Sequence, residues 1–329
     1  MAKYDVAGIG NAIVDVIAAI DDAFLLQHSV AKGVMSLVDE FRVGELLPAL
    51  TAPQQIAGGS AANTMAGIAS FGGKGLFVGK VKDDVLGRAF ADSMNEIGVT
   101  FSTAMATDGP STASSVILVT PDKHRSMNTY LGASREIGVA DVDEAAIAAS
   151  AVLYIEGYLW DQPDAKAAIA KAIAAAKRAG GEVAFTLSDP FCVGRYREEF
   201  LGLLKNDLDI LFANEDEAKA LFEVETFDAV LPLLKNWGGI AAVTRSQKGC
   251  VVVHGSAVHV IGAVPGVTVI DTTGAGDQFA AGFLYGHTHG LDLATCGKLG
   301  ALAAAEVISH YGARPEKSLR DLAARTELI

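Results

Sequence analysis

Cysteine is scarce in this sequence, and the chain shows no sign of depending on disulfide bonds. Its three cysteines, Cys192, Cys250 and Cys296, are odd in number, lie far apart and form no C-x-x-C pair. A disulfide framework is indicated by an even number of cysteines, and a zinc site by closely spaced cysteines or histidines; both patterns are missing from the sequence. Half of the 329 residues are hydrophobic, so the chain can instead bury a substantial core. We expect a reduced, cytoplasmic setting.

Long apolar runs are also missing. Near the N-terminus, polar side chains at Asp5, Asn11, Asp15, Asp21 and Asp22 interrupt the apolar residues. A membrane-spanning helix needs roughly 18 consecutive apolar residues, and no run reaches that length. We therefore expect neither a signal peptide nor a membrane segment.

Positive charge is in deficit. The chain has 26 Lys and Arg residues against 39 Asp and Glu residues, which gives a formal net charge of −13 at pH 7. Such a surface repels the phosphate backbone of a nucleic acid, so we expect no nucleic-acid partner. A nucleotide can still bind at a small local site.

Several well-known catalytic patterns are absent. A phosphate-binding P-loop fails at Gly79-Lys80, because Lys74 stands at the first glycine position and Val81 follows the lysine. A dinucleotide-binding fingerprint after the first strand fails because Ile13 replaces its third glycine. No H-E-x-x-H, no G-x-S-x-G and no protein-kinase catalytic loop is found. These absences argue against zincins, α/β-hydrolases, protein kinases and dinucleotide-dependent enzymes.

What is present is an alternation of apolar strands and helical patterns. The predicted strands are Tyr4–Ile9, Leu76–Val81, Val152–Ile155, Val183–Leu187, Ile210–Ala213 and Ile240–Thr244, and the predicted helices include Asp164–Ala179, Glu215–Phe222, Thr226–Trp237 and Leu299–Ile308. This order predicts an α/β fold: a predominantly parallel sheet, covered by helices on both faces, with ligands at the carboxyl ends of its strands.

Two regions interrupt the alternation. Met35–Val38, Ser114–Val119 and Ser126–Tyr130 have the period-two pattern of strands and lie outside any βαβ unit. They form either a small separate sheet or an extension at the edge of the main sheet, and the pattern alone favours neither.

The most specific stretch is Asp271-Thr272-Thr273-Gly274-Ala275-Gly276-Asp277, which leads into an apolar helix. A helix that begins near Gly274 has backbone N–H groups without intrahelical acceptors, at the positive end of the helix dipole. Such a helix start binds anions such as phosphate. Asp277 then lies in the first turn, where a general base is useful.

This stretch resembles the second signature of the PfkB carbohydrate kinases, the ribokinase-like family that includes adenosine kinases. The resemblance implies that Gly274, Ala275 and Gly276 stabilise the transferring phosphoryl group and that Asp277 deprotonates the acceptor hydroxyl. It also implies a single ribokinase-like domain over residues 1–329. Its segments near 14–52 and 100–133 would form a discontinuous β lid that excludes water.

A second glycine motif, Gly58-Gly59-Ser60-Ala61-Ala62-Asn63, resembles the family's other signature. The resemblance implies that Gly59 and Asn63 bind the acceptor. It implies the same for Asn11 and Asp15 after the first strand, and for Arg125 in the lid. A carboxylate such as that of Asp15 can accept two hydroxyl protons, which suits a cis-diol. For Asn11, a solvated turn is the competing interpretation.

Asn214 and Glu217 match the family's Asn-x-x-Glu motif, which implies a magnesium site that acts largely through water. Glu215 and Asp216, between them, are expected to be ordinary helix-capping residues. Thr244 and Gly249 match the turn that borders ATP, and Asp271 is the candidate for a monovalent-cation site such as K⁺. The adenine slot is expected near the Leu299–Ile308 helix.

Together these residues predict an ATP-dependent kinase of a small molecule, with Mg²⁺ and K⁺ as candidate ions and a monomer or homodimer as the assembly. The stretches around Arg125 and Phe185–Phe191 resemble adenosine kinases, although Asp189 departs from their pattern. The expected reaction is therefore phosphorylation of a nucleoside, adenosine, at its 5′-hydroxyl. The alternatives are a sugar kinase for ribose, fructose or a ketogluconate, and a non-catalytic binding protein of the same fold.

Overall fold

Two β-sheets organise the chain, which a computed structural model describes over residues 2–122 and 124–329. The strands in these residues are β1 (Tyr4–Ile9), β2 (Ile13–Ala19), β3 (Met35–Leu37), β4 (Gln54–Gly58), β5 (Gly75–Val78), β6 (Thr100–Phe101), β7 (Ala113–Val119), β8 (Arg125–Tyr130), β9 (Ser150–Glu156), β10 (Glu182–Thr186), β11 (Ile210–Asn214), β12 (Ile240–Thr244), β13 (Cys250–His254) and β14 (Ala257–Ile261).

The helices of the same residues are α1 (Asp22–Gln27), α2 (Glu40–Leu46), α3 (Ser60–Ser70), α4 (Val85–Glu96), α5 (Glu144–Ala148), α6 (Pro163–Arg178), α7 (Pro190–Asn206), α8 (Glu215–Phe222), α9 (Phe227–Trp237), α10 (Ala275–Thr288), α11 (Leu293–Val307) and α12 (Leu319–Arg325). Short 3₁₀ segments lie at Leu47–Ala49, Gly132–Glu136, Val139–Asp141, Gly157–Asp161 and Ser246–Lys248. None of the helices in the described ranges has the length and apolar character that crossing a membrane requires.

The large sheet has the strand order β14-β13-β12-β11-β10-β9-β1-β5-β6. Neighbouring strands are parallel over the part of this order that runs β12-β11-β10-β9-β1-β5-β6. At the other edge, β13 is antiparallel to both β12 and β14. Alternate residues enter two cores. In β9, Leu153 and Ile155 pack with α6 to α9, whereas Val152 and Tyr154 pack on the side of α3, α10 and α11. The predicted parallel sheet with helices on both faces is confirmed.

The small sheet has the order β3-β8-β7-β2-β4 and is separate from the large one, which decides between the two alternatives left by the sequence. Its strands come from residues 13–58 and 113–130, while Thr100–Phe101 pairs with β5 in the large sheet. The sequence patterns missed β2 and β4. An apolar stretch around Asp15 and a short polar stretch before Gly58 resemble site loops more than strands.

The two faces of the small sheet differ in what covers them. Val116 and Leu118 of β7 pack against Leu25, Val43 and Leu46 of α1 and α2. The opposite face carries Asp15, Ser115 and Thr129 in one cross-strand row, because these residues are directly paired. Arg125 pairs with Val119 and belongs to this same face. We call it the cleft face.

Candidate active site

The start of α10 has the geometry of an anion-binding site. Gly274 is the N-cap, with a φ of +77° and no side-chain cap. A Cβ at Gly274 would lie 2.6 Å from the Cα of Ala313, so glycine is required there. Within the described ranges the backbone N–H groups of Gly276 and Asp277 find no acceptor. A Cβ at Gly276 would meet open space, so an oxyanion can approach these N–H groups.

Asp277 lies in this first turn and is held from the other side by α3. The Ser60 hydroxyl donates to its Oδ1 over 2.7 Å, and the Asn63 amide donates to its Oδ2 over 3.1 Å. Burial raises the pKa of Asp277 to about 6, and these two hydrogen bonds oppose that rise. The carboxylate is thus fixed in position and ionised at neutral pH.

The start of α3 is fixed by close backbone contact. Gly59 has a φ of +99°, and a Cβ there would lie 2.0 Å from the backbone oxygen of Asn11. The motif Gly58–Asn63 is therefore in contact with the segment that follows β1. Such contact is necessary if both segments bind the same acceptor, as the sequence predicts.

A buried carboxylate that sequence reasoning missed joins these same two segments. Glu156, fully buried at the end of β9, accepts from the backbone N–H of Asn11 (2.7 Å), from the Asn11 amide (2.7 Å) and from the backbone N–H of Ala61 (2.8 Å). Burial raises the pKa of Glu156 to about 7, against the lowering effect of these donors. The signal was available, because Glu156 directly follows a predicted strand. Asn11 is buried and bound to Glu156, so the solvated-turn interpretation is wrong.

Asp15 lies on β2, on the cleft face of the small sheet, and not at a strand end of the large sheet. Among the described residues it accepts no hydrogen bond. Burial raises its pKa to about 6, and the charges of Arg125 and Arg314 lower it. A carboxylate without partners beside Asp277 is suited to accepting hydroxyl protons.

Arg125 reaches from β8 to the loop before α10. Its Nη1 donates to Asp271 Oδ2 and, over 3.1 Å, to Thr273 Oγ1. Asp271 Oδ1 accepts from the N–H and hydroxyl of Thr273, and Oδ2 also accepts from the N–H of Gly312. All four lone-pair positions of this carboxylate are thus used. The donor set does not fit a monovalent cation bound directly to Asp271, because the guanidinium already supplies the positive charge.

Asn214 and Glu217 form a reciprocal helix cap. Asn214 Oδ1 accepts from the N–H of Glu217 (2.8 Å), and Glu217 accepts from the N–H (2.9 Å) and the amide (2.6 Å) of Asn214. Glu215 and Asp216 lie in the first turn of α8, where their negative charges suit the helix dipole, but neither is the N-cap, and their carboxylates pair with Arg245 and Lys219. A side chain caps a helix start when its oxygen accepts a hydrogen bond from the N–H of the third helical residue. In α8 that residue is Glu217, and the oxygen is that of Asn214.

This pair fits a water-mediated magnesium site. Burial raises the pKa of Glu217 to about 7, and the nearby charge of Asp189 adds to the rise. Mg²⁺ keeps several waters and needs only one or two carboxylates beside substrate phosphates. Thr244 is the direct cross-strand neighbour of Asn214, and Gly249 ends the following 3₁₀ turn. These residues therefore share one end of the cleft.

Tyr158 connects the two halves of the site. Its OH donates to the backbone oxygen of Ser188 over 3.2 Å. Its pKa is raised, first by burial and then by the carboxylates of Asp189, Glu217 and Asp277. Tyr158 is therefore near both Asp277 and the Asn214–Glu217 pair.

Comparison with known proteins identifies the family of the chain. A model of the pfkB family of carbohydrate kinases matches residues 34–319. The chain belongs to this family. Kinases of the pfkB family use ATP, typically with Mg²⁺.

Two solved structures are similar over nearly the full length of this pfkB-family kinase. An adenosine kinase from Sinorhizobium meliloti is 50% identical, with a TM-score of 0.89 over 99% of this chain and 100% of that one. A probable sugar kinase from Rhizobium etli is 45% identical, with a TM-score of 0.91 over 100% of both chains. A 5-dehydro-2-deoxygluconokinase from Lacticaseibacillus casei is 31% identical over 276 residues, which cover 77% of this chain and 80% of that protein. The ribokinase-like fold is confirmed, and the kinase acts on a sugar or a nucleoside.

Glu156→Gln tests the buried clamp. A glutamine cannot accept from all three donors, so at least one buried N–H would lose its partner at a cost of about 1–3 kcal/mol. We expect a lower melting temperature and weaker acceptor binding, measured by calorimetry, with little change in ATP binding. Glu198→Gln, at a side chain that is 83% exposed, is the control. A Glu156→Gln protein that matches this control would contradict the role of the clamp.

Proposed function

We propose that this pfkB-family kinase transfers the γ-phosphoryl group of ATP to the 5′-hydroxyl of a nucleoside, with adenosine as the preferred acceptor. The observation that carries the proposal is the position of Asp277. Its carboxylate lies in the same helical turn as two unpaired N–H groups, so a hydroxyl beside it also lies beside an anion-binding site.

In the proposed mechanism the chain mainly positions reactants and stabilises charge. Asp277 accepts the proton of the acceptor hydroxyl while the hydroxyl oxygen forms a bond to the γ-phosphorus of ATP. The bond from that phosphorus to the β–γ bridging oxygen breaks, and ADP leaves. The N–H groups of Gly276 and Asp277 stabilise the negative charge on the transferring group. A magnesium ion held through water by Asn214 and Glu217 would neutralise charge on the donor phosphates. Thr244 and Gly249 border the nucleotide.

The cleft face of the small sheet supports a nucleoside as the acceptor. Asp15 and Asn63 are candidates for the ribose hydroxyls. Met35 and Leu37 of β3 lie on this face and are 58% and 66% exposed, and Met35 pairs with Met127. They supply an apolar wall for a base. Tyr130 is not part of this wall, because it packs on the opposite face with α1 and α2.

A sugar kinase is the competing proposal, because the 5-dehydro-2-deoxygluconokinase relative shares the family and 31% of aligned residues. A non-catalytic binding protein would not need a general base, and the intact Asp277 with its two hydrogen bonds argues against it. The lid function of the small sheet, with Arg125 pairing across the cleft, is part of the nucleoside proposal.

Asp277→Asn should lower turnover by about 10²–10⁴-fold, the usual contribution of a general base, while ATP binding persists. For the wild type, kcat/KM should fall as the pH drops below about 6, because protonation removes the base. The exposed Asp228→Asn is the control. Asp277→Asn with near-wild-type turnover would rule out the assignment.

Glu217→Gln should raise the magnesium concentration required for half-maximal rate by more than it raises KM for the acceptor. The neutral amide attracts the hydrated ion less strongly. Asp216→Asn, whose side chain is 74% exposed, provides the matched control. If KM for the acceptor rises strongly while the required magnesium concentration stays the same, Glu217 belongs to a different site.

The acceptor is tested by a panel of adenosine, other nucleosides, ribose, fructose and 5-dehydro-2-deoxygluconate with ATP. We expect kcat/KM for adenosine to exceed that for every sugar, because a base adds apolar contacts with the Met35 and Leu37 wall. A ratio below one would favour the sugar-kinase alternative and leave the role of Asp277 intact.

A further inference from the structure

Arg314 is a buried cation whose hydrogen bonds are incomplete. Its Nη1 donates to Ser93 Oγ over 3.4 Å, and its Nη2 donates to the sulfur of Met94 over 3.1 Å, and both are weak interactions. Its Nε is buried and has no acceptor in the part of the chain that the structure describes. Burial lowers the pKa of Arg314 to about 10, so the side chain remains charged at neutral pH. An incompletely paired buried charge costs stability, which calls for a functional explanation.

The position of Arg314 links it to the acceptor end of the cleft. It follows Gly312, whose N–H donates to Asp271, and Ala313, whose backbone packs against Gly274. Its guanidinium contacts α4, and α4 packs against β2 and β4 of the small sheet. Asp15 lies on β2 and interacts electrostatically with Arg314. Arg314 is therefore near both the anion-binding turn and Asp15.

The unpaired groups here are complementary to hydroxyls. Asp15 accepts no hydrogen bond among the described residues, and Asn63 Oδ1 is buried without a partner there. Arg314 contributes an unpaired donor. A hydroxyl donates one hydrogen bond and accepts two, so hydroxyl groups of an acceptor can satisfy donor and acceptors together.

We propose that Arg314 is a specificity-determining residue that donates from Nε to a hydroxyl oxygen of the acceptor whose proton is accepted by Asp15. The inference rests on the proposed function for the identity of that acceptor. Arg125, the other cation near Asp15, is already bound to Asp271 and Thr273. Arg125 binds them through Nη1 alone, whereas Arg314 is the one of these two arginines with a buried Nε that lacks an acceptor among the described residues. The pair Arg314 and Asp15 therefore distinguishes a hydroxyl from a hydrogen at the same carbon.

The test is calorimetric binding of adenosine, 2′-deoxyadenosine and 3′-deoxyadenosine, without ATP, to the wild type, Arg314→Met and Arg314→Lys. We expect Arg314→Met to lower the affinity for adenosine by about 10–100-fold, the effect of losing a charged hydrogen bond. The same substitution should have a much smaller effect on the affinity for the deoxy analogue that lacks the contacted hydroxyl. The ratio of the affinity for adenosine to the affinity for that analogue should therefore fall. Lysine keeps the charge but lacks the planar fork, so it should not restore discrimination.

Melting temperatures separate this role from a structural one. Removing an unsatisfied buried cation should leave the melting temperature of Arg314→Met unchanged or higher. Arg320→Met, at an exposed position on α12, is the control. The proposal is overturned if Arg314→Met binds adenosine like the wild type, or if it loses adenosine and both analogues equally while its melting temperature falls.

The binding test and the acceptor panel can fail separately. If the preference for adenosine over a deoxy analogue depends on Arg314 but no nucleoside is phosphorylated, the proposed function is refuted and the inference about Arg314 stands. If the wild type binds no nucleoside, ribose and 2-deoxyribose replace the analogues and the same criteria apply. If adenosine is phosphorylated but Arg314→Met distinguishes adenosine from its deoxy analogues as the wild type does, the inference about Arg314 is refuted and the proposed function stands.

Discussion

The hydrogen bonds from Ser60 and Asn63 to Asp277 hold the site together. They connect the starts of α3 and α10, two helices that follow glycines with positive φ. Each glycine permits a backbone approach that a Cβ would block, at Gly59 against Asn11 and at Gly274 against Ala313. The proposed general base, Asp277, is therefore positioned by two chain segments that are more than 200 residues apart in the sequence.

This arrangement requires buried carboxylates, each stabilised differently. Glu156 is satisfied by backbone and amide donors, Asp277 by two side-chain donors, and Asp15 only by the charges of arginines. Burial disfavours the ionised form, so all three pKa values are raised. Glu156 has three donors and a supporting role, whereas Asp15 has none and faces the cleft.

The sequence predicted those parts of the fold and of the site that depend on local patterns of residues. Apolar runs bounded by Gly, Asp or Asn predicted β1 and β12 with their observed ends, and α8 likewise. The Asp271–Asp277 stretch predicted the anion-binding helix start because its chemistry is local. Local patterns failed where a contact crosses the fold. Glu156 acquires its role from Asn11 and Ala61, and Tyr130 is assigned to its face only by strand register. Arg314 becomes significant only because its donor is buried without an acceptor.

In the proposed function, one hydroxyl receives the phosphoryl group, the primary hydroxyl of a nucleoside beside Asp277. The most direct measurement is the ³¹P NMR spectrum, with proton coupling, of the product formed from adenosine and ATP. We expect a phosphate coupled to the two 5′-methylene protons, as in adenosine 5′-monophosphate. A phosphate coupled to a single ring proton, or release of inorganic phosphate without a phosphorylated nucleoside, would contradict it.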